Sequence, residues 1–93
     1  MNTIEQMRLK LAALAPEHLE IADDSAKHAG HEGAKGGGGH YRLTIVSAQF
    51  AGTTTVARHR MIYNALGDMM QKEIHALGIK AYAPGENMQA SSN

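Results

Sequence analysis

Apolar residues recur along the first fourteen positions at helical spacing: Ile4, Met7, Leu11 and Leu14 line one face. Thr3 followed by Gln6 reads as a capping box ahead of this stripe, and Pro16 stops it. The rhythm then changes to alternation. Leu19 and Ile21 alternate with Glu20 and Ala22, predicting a short strand that ends at Asp23-Asp24. "HYRLTIVS" (40–47) predicts a second strand, with Tyr41, Leu43 and Ile45 on one face and Arg42, Thr44 and Val46 on the other. Phe50, Gly52 and the threonines 53–55 predict a turn and a helix start. Helical spacing returns from Val56 to about Lys72, where Val56, Tyr63, Leu66 and Met70 share a face, with Ile62 and Met69 beside them. Asp68 and Lys72 stand at i,i+4, and Gly67 predicts a break into two helices. "IHALGIKAY" (74–82) predicts a final strand, halted by Pro84-Gly85, and a patternless, disordered tail over 85–93.

The order α-β-β-α-α-β predicts one small α+β domain over residues 1–84. Between its first two strands lies a glycine- and histidine-rich stretch, 23–39, expected to be a flexible loop. It holds His28 and His31 and runs through four glycines into His40. A connection this long exceeds the usual 2–5 residues of a hairpin, and loops of such length are commonly functional or disordered.

Composition narrows the chemistry. The 93 residues suffice for one modest core. Nine Lys+Arg balance nine Asp+Glu, which counts against strong nucleic-acid binding driven by phosphate neutralisation. With no cysteine, disulfides and thiolate chemistry are excluded within the chain, and metal ligands are limited to six histidines and the carboxylates. The amphipathic start lacks the apolar centre of a secretory signal, and no apolar run approaches the ~20 residues of a membrane span. A soluble, cytoplasmic protein that does not act on a membrane is expected. No nucleophile elbow or paired-carboxylate pattern stands out, so an enzyme is not expected. The Gly36–Gly39 run lacks the Gly-Lys-Ser/Thr ending of a phosphate loop and leads into a strand.

Three segments together resemble the BolA family: "HYRLTIVSAQFAG" (40–52), "RHRMIYNAL" (58–66) and "IHALGIKAYAP" (74–84). The likeness runs from about Ile4 to Pro84. It implies a class II KH-like fold and a monothiol glutaredoxin as partner, in a heterodimer that holds a bridging 2Fe–2S cluster together with glutathione. The isolated chain is then expected to carry no cluster. By this resemblance the histidine of Ile-His-Ala-Leu, His75, is a cluster ligand. The family's Ser-x-x-His pattern falls on "SAKH" and points to His28 as the second ligand, with His31 as its substitute. From spacing alone, His75 shares a strand face with Leu77 and Ile79 and reads as a half-buried histidine.

At the start of the long helix, Arg58 and Arg60 are candidates for binding a partner or an anion, and His59 for a structural, inward-facing role. His40 is expected to be structural or near the site, and His18 to lie on the surface. The family's Gly-Ser-x-Ser-His is replaced here by Gly-Gly-Gly-Gly-His (36–40), which removes two serine hydroxyls. The resemblance also carries an alternative: a DNA-binding transcriptional regulator using the helix-turn-helix-like segment 56–72.

Overall fold

The computed structural model describes residues 2–25 and 39–86, so His28 and His31 lie outside the described residues. Helix α1 spans Thr3–Leu11, strand β1 His18–Asp23, strand β2 Gly39–Val46, helix α2 Thr55–Leu66 and strand β3 Ile74–Tyr82. Short 3₁₀ turns occupy 12–14, 48–50 and 67–71. The α+β order is the expected one, except that the second half of the long helical stretch is a 3₁₀ segment.

The α1 capping box sits one residue earlier than the sequence suggests. Asn2 accepts from the Glu5 amide at 2.8 Å, and its own amide donates to Glu5 Oε1 at 3.1 Å. An Asn one position upstream is as good a cap as Thr, which leaves Thr3 inside the first turn. The helix unwinds through Ala12–Leu14, and Ala15 turns the chain left-handed (φ 48°) ahead of Pro16. Fully buried Ser47 ties this corner to the end of β2. Its hydroxyl donates to the Leu14 carbonyl at 2.5 Å and accepts from the Gln49 amide at 3.1 Å.

The strands form one sheet in the order β1-β2-β3. β1 pairs with β2 antiparallel, Leu19 opposite Ile45 and Ile21 opposite Leu43. β2 pairs with β3 in parallel, which requires a crossover, and α2 provides it. Both helices contribute to a single core on one side of the sheet: Met7, Leu11 and Leu14 meet Tyr41, Leu43 and Ile45, closed by Phe50, Ile62, Leu66, Met69 and Ile74.

The buried stripe of α2 differs from the expected one. Arg58, Ile62 and Leu66 face inward and Met69 continues the line, whereas Val56 is 61% and Tyr63 40% exposed. Gly67 (φ 58°) ends the helix, as its place in the pattern predicted. No helix of the described residues is long and apolar enough to cross a membrane.

Candidate histidine site at the sheet end

Strand β2 presents Tyr41, Leu43 and Ile45 to the core, so alternation turns His40 to the other face. β3 would by the same logic place His75 beside Leu77 and Ile79, against the core. It does not, because the ladder slips. Gly39 pairs with Ile74 and His40 with Ala76, so His75 is an extra residue between two pairs. Ile74 is buried, Leu77 and Ile79 pack on the core, and His75 and Ala76 are both exposed. A bulge of this kind re-aims a side chain without ending the strand. Here it brings the ring of His75 to the ring of His40, with centroids 5.1 Å apart and planes tilted by 45°.

The same end of the sheet is where residues 26–38 leave and rejoin the described structure, and short polar contacts close that neck. The Ser25 amide donates to Asp23 Oδ1 at 2.8 Å, and the Asp24 amide to the His40 carbonyl at 2.7 Å. The His40 amide donates to Ser25 Oγ at 3.0 Å, and the Gly39 amide to the Glu73 carbonyl at 2.8 Å. Hydrogen bonds from Ser25, first from its side chain and then from its backbone, hold the Asp23 carboxyl below its ordinary value. Arg42 Nε reaches the Asp24 carboxylate from the adjacent strand.

At Gly39 a side chain would crowd its neighbours. A Cβ there would lie 2.6 Å from Tyr41 Cε2 and 2.8 Å from Ser25 Oγ. The hydroxyl that bonds the His40 amide therefore comes from Ser25, across the neck.

Arg58 is not available to a partner. Its side chain is 11% exposed and points inward from the first turn of α2. Nε donates to Thr53 Oγ1 at 3.0 Å, and Nη1 to the Ala81 carbonyl at 3.0 Å. Nη1 and Nη2 grip both oxygens of Glu86 at 2.6 and 2.8 Å. The guanidinium carbon stands 5.9 Å from the centre of the Phe50 ring. Glu86 Oε1 also accepts from the Ala83 amide at 3.1 Å. Its hydrogen bonds to Arg58 and then to Ala83 push its pKa down to about 2, and the Arg58 pKa is raised by the same pairing. Glu86 is thus tied into the folded domain, beyond the expected boundary at Pro84. A buried guanidinium needs a counter-charge, and Glu86 is the one that reaches it.

Arg60 is exposed and, among the described residues, has no ion-pair partner, so it alone of the two arginines can meet an anion from outside. His59 is half-buried and meets Tyr63 edge-on at 6.4 Å, along the outer side of α2 rather than inside the core. His18 is partly buried, with Nε2 3.3 Å from Glu20 Oε2 but in no hydrogen bond.

The donor set limits what this chain can hold. No group of three or more His, Cys, Asp or Glu side chains converges among the described residues. His75 is an exposed imidazole donor with the His40 ring beside it, which suits shared coordination with ligands from outside the chain.

Residues 11–86 match the family model described as BolA-like protein. An uncharacterized protein in the cobS 5' region of a Sinorhizobium species is 42% identical over 89 residues, covering 92% of this chain and 96% of that one. The DNA-binding transcriptional regulator BolA of Vibrio cholerae is 38% identical over 74 residues, covering 80% of this chain and 67% of the relative. Other curated relatives are longer, and the chain spans only 64% of one and 21% of another. Among solved structures, BolA1 from Arabidopsis thaliana superposes with a TM-score of 0.79 at 40% identity, over 94% of this chain and 97% of that one. With its fold, its Ile-His-Ala-Leu strand and its likeness to these proteins in agreement, the chain belongs to the BolA family.

Proposed function

We propose that this protein is an adaptor that docks a monothiol glutaredoxin and co-ligates a bridging 2Fe–2S cluster, acting in iron–sulfur cluster trafficking or iron homeostasis. The observation that carries this proposal is the bulge at His75. A fold that needed a packed strand would place an apolar residue in regular register there; this one spends a bulge to expose an imidazole. His75 is the first protein ligand. The second is His28, with His31 as its substitute. His28 stands three positions and His31 six positions beyond Ser25. An extended chain spans at most about 11 Å and about 22 Å over those lengths, which keeps both within covalent reach of the sheet end. The partner's cysteine and glutathione supply the remaining ligands, in keeping with the absence of cysteine here. The cluster would supply one-electron chemistry, or would itself be the cargo. Histidine in place of cysteine at one iron raises its potential. Arg60, exposed and at i,i+4 and i,i+3 spacing from the exposed apolar Val56 and Tyr63, is the remaining candidate for contact with an acidic group of the partner.

The experiment is reconstitution of the cluster on a mixture with a monothiol glutaredoxin, comparing His28→Ala and His31→Ala by visible circular dichroism. A spectrum altered by His28→Ala alone assigns that ligand, and one altered by His31→Ala alone assigns the substitute. A mixture that forms neither a complex nor a cluster overturns the adaptor role.

A DNA-binding role is the alternative, favoured by the name of the Vibrio cholerae relative. Zero formal net charge weighs against it, since counterion release drives most duplex affinity. Micromolar or tighter, sequence-dependent binding at physiological salt would promote it above the adaptor role.

A further inference from the structure

His40 has no part in the ligand set proposed for the cluster, yet its ring meets that of His75 at the end of the sheet. We propose that His40 and His75 form a two-imidazole site for a single divalent transition-metal ion of the zinc type, held by the isolated chain without any partner. The site shares His75 with the cluster assignment but needs neither glutaredoxin, glutathione nor iron.

The spacing of the rings is the first support. A zinc–nitrogen bond of ~2.1 Å plus ~1.1 Å from nitrogen to ring centre puts each centre ~3.2 Å from the metal, and two such rings at the tetrahedral angle stand ~5.2 Å apart. The observed separation is 5.1 Å. The 45° tilt is not that of a face-to-face stack.

Preorganisation is the second. The backbone of His40 is held on both sides, its amide by Ser25 Oγ at 3.0 Å and its carbonyl by the Asp24 amide at 2.7 Å. The bulge that carries His75 is fixed where the Gly39 amide meets the Glu73 carbonyl at 2.8 Å. The two donors therefore come from adjacent strands whose register is set before a metal arrives, and less ordering opposes binding.

Donor chemistry selects the ion. Paired imidazoles favour zinc, cobalt, nickel and copper, while magnesium and calcium require oxygen ligands, and no such group converges among the described residues. Among the described residues the site has these two donors, and its remaining positions are open to further ligands. A zinc ion on His75 would also compete with any other use of that imidazole.

The test uses the full, tag-free chain alone. Zn²⁺ is titrated by calorimetry, and Co²⁺ is added as a paramagnetic probe while the imidazole proton signals are followed by NMR. The site predicts that Co²⁺ shifts and broadens the His40 and His75 ring signals together at the lowest metal ratio. It also predicts that His40→Ala and His75→Ala each weaken Zn²⁺ binding at least tenfold. His40→Gln, which keeps a polar side chain at the neck, should weaken it equally and serves if the alanine variant does not fold. Wild-type Zn²⁺ affinity in a folded His40 variant overturns the site, as does a Co²⁺ titration that moves other histidines first. Either failure leaves the glutaredoxin complex untouched, because no partner or iron is present. Conversely, loss of the cluster proposal leaves this titration unchanged.

Discussion

Replacing Gly39 by alanine tests whether the neck positions the histidines. The added methyl would meet Tyr41 Cε2 at 2.6 Å, Tyr41 Cζ at 2.8 Å and Ser25 Oγ at 2.8 Å. Ordinary carbon contacts begin near ~3.5 Å, so several tenths of an ångström must be found on two sides. Tyr41 is 8% exposed and packed in the core, so it cannot simply swing away. Overpacking of this kind costs about 1–3 kcal/mol. If Ser25 gives way instead, its bond to the His40 amide is lost, adding about 1 kcal/mol. The sum, about 2–4 kcal/mol, corresponds to a fall in Tm of roughly 8–30 °C for a domain of this size. Urea or thermal unfolding measures it, and the His40 amide resonance reports the neck directly. In a Ser25→Ala background the hydrogen bond is already gone, so the same substitution should cost less there. A Gly39→Ala protein within ~0.5 kcal/mol of wild type, the range of ordinary surface changes, would refute the reasoning.

Three further predictions concern the frame around the site. Ser47→Ala leaves the Leu14 carbonyl and the Gln49 amide without their shared partner in a fully buried position, and should cost about 1–3 kcal/mol in urea unfolding. Ala15→Gly relieves a left-handed alanine (φ 48°) worth ~1–2 kcal/mol, offset by ~0.4–1 kcal/mol of added freedom in the unfolded chain, so Tm should hold or rise slightly. Glu86 has a folded pKa of about 2 against an ordinary 4.5, so the unfolded chain binds its proton first. Its contribution is therefore complete above pH 4.5 and is lost as pH falls from there through 2. Glu86→Gln should flatten the Tm-against-pH curve in that window and lower Tm at neutral pH; an unchanged acid limb would contradict the Arg58 pairing.

Strands and breaks were legible because local pattern decides them. The alternation through Tyr41, Leu43 and Ile45 marks the inward face of β2, and Gly67 marks the end of α2. The buried face of α2 was not legible. Val56 and Tyr63 look like core residues, while Arg58 looks like surface, yet Arg58 is the buried one. Its counter-charge, Glu86, lies 28 residues on, in a stretch with no pattern of its own. The bulge at His75 was hidden for a similar reason. Extending the Leu77–Ile79 alternation backwards assigns His75 to the core side, and only pairing with β2, where Gly39 meets Ile74 and His40 meets Ala76, shows the extra residue. The family resemblance named His75 as a ligand; the register supplies a physical route to its exposure. His40 carried no spacing signal towards His75, because their proximity is a property of strand pairing.

The proposed adaptor role requires that His75 is exposed in order to ligate. The most direct measurement is the visible absorption and circular dichroism of the cluster reconstituted on this chain with a monothiol glutaredoxin, for wild type and His75→Ala. Because His75 is exposed and outside the core, the variant should unfold within ~0.5 kcal/mol of wild type. Its cluster spectrum should be altered or lost. A folded His75→Ala protein that gives the wild-type spectrum with the same partner would contradict the account.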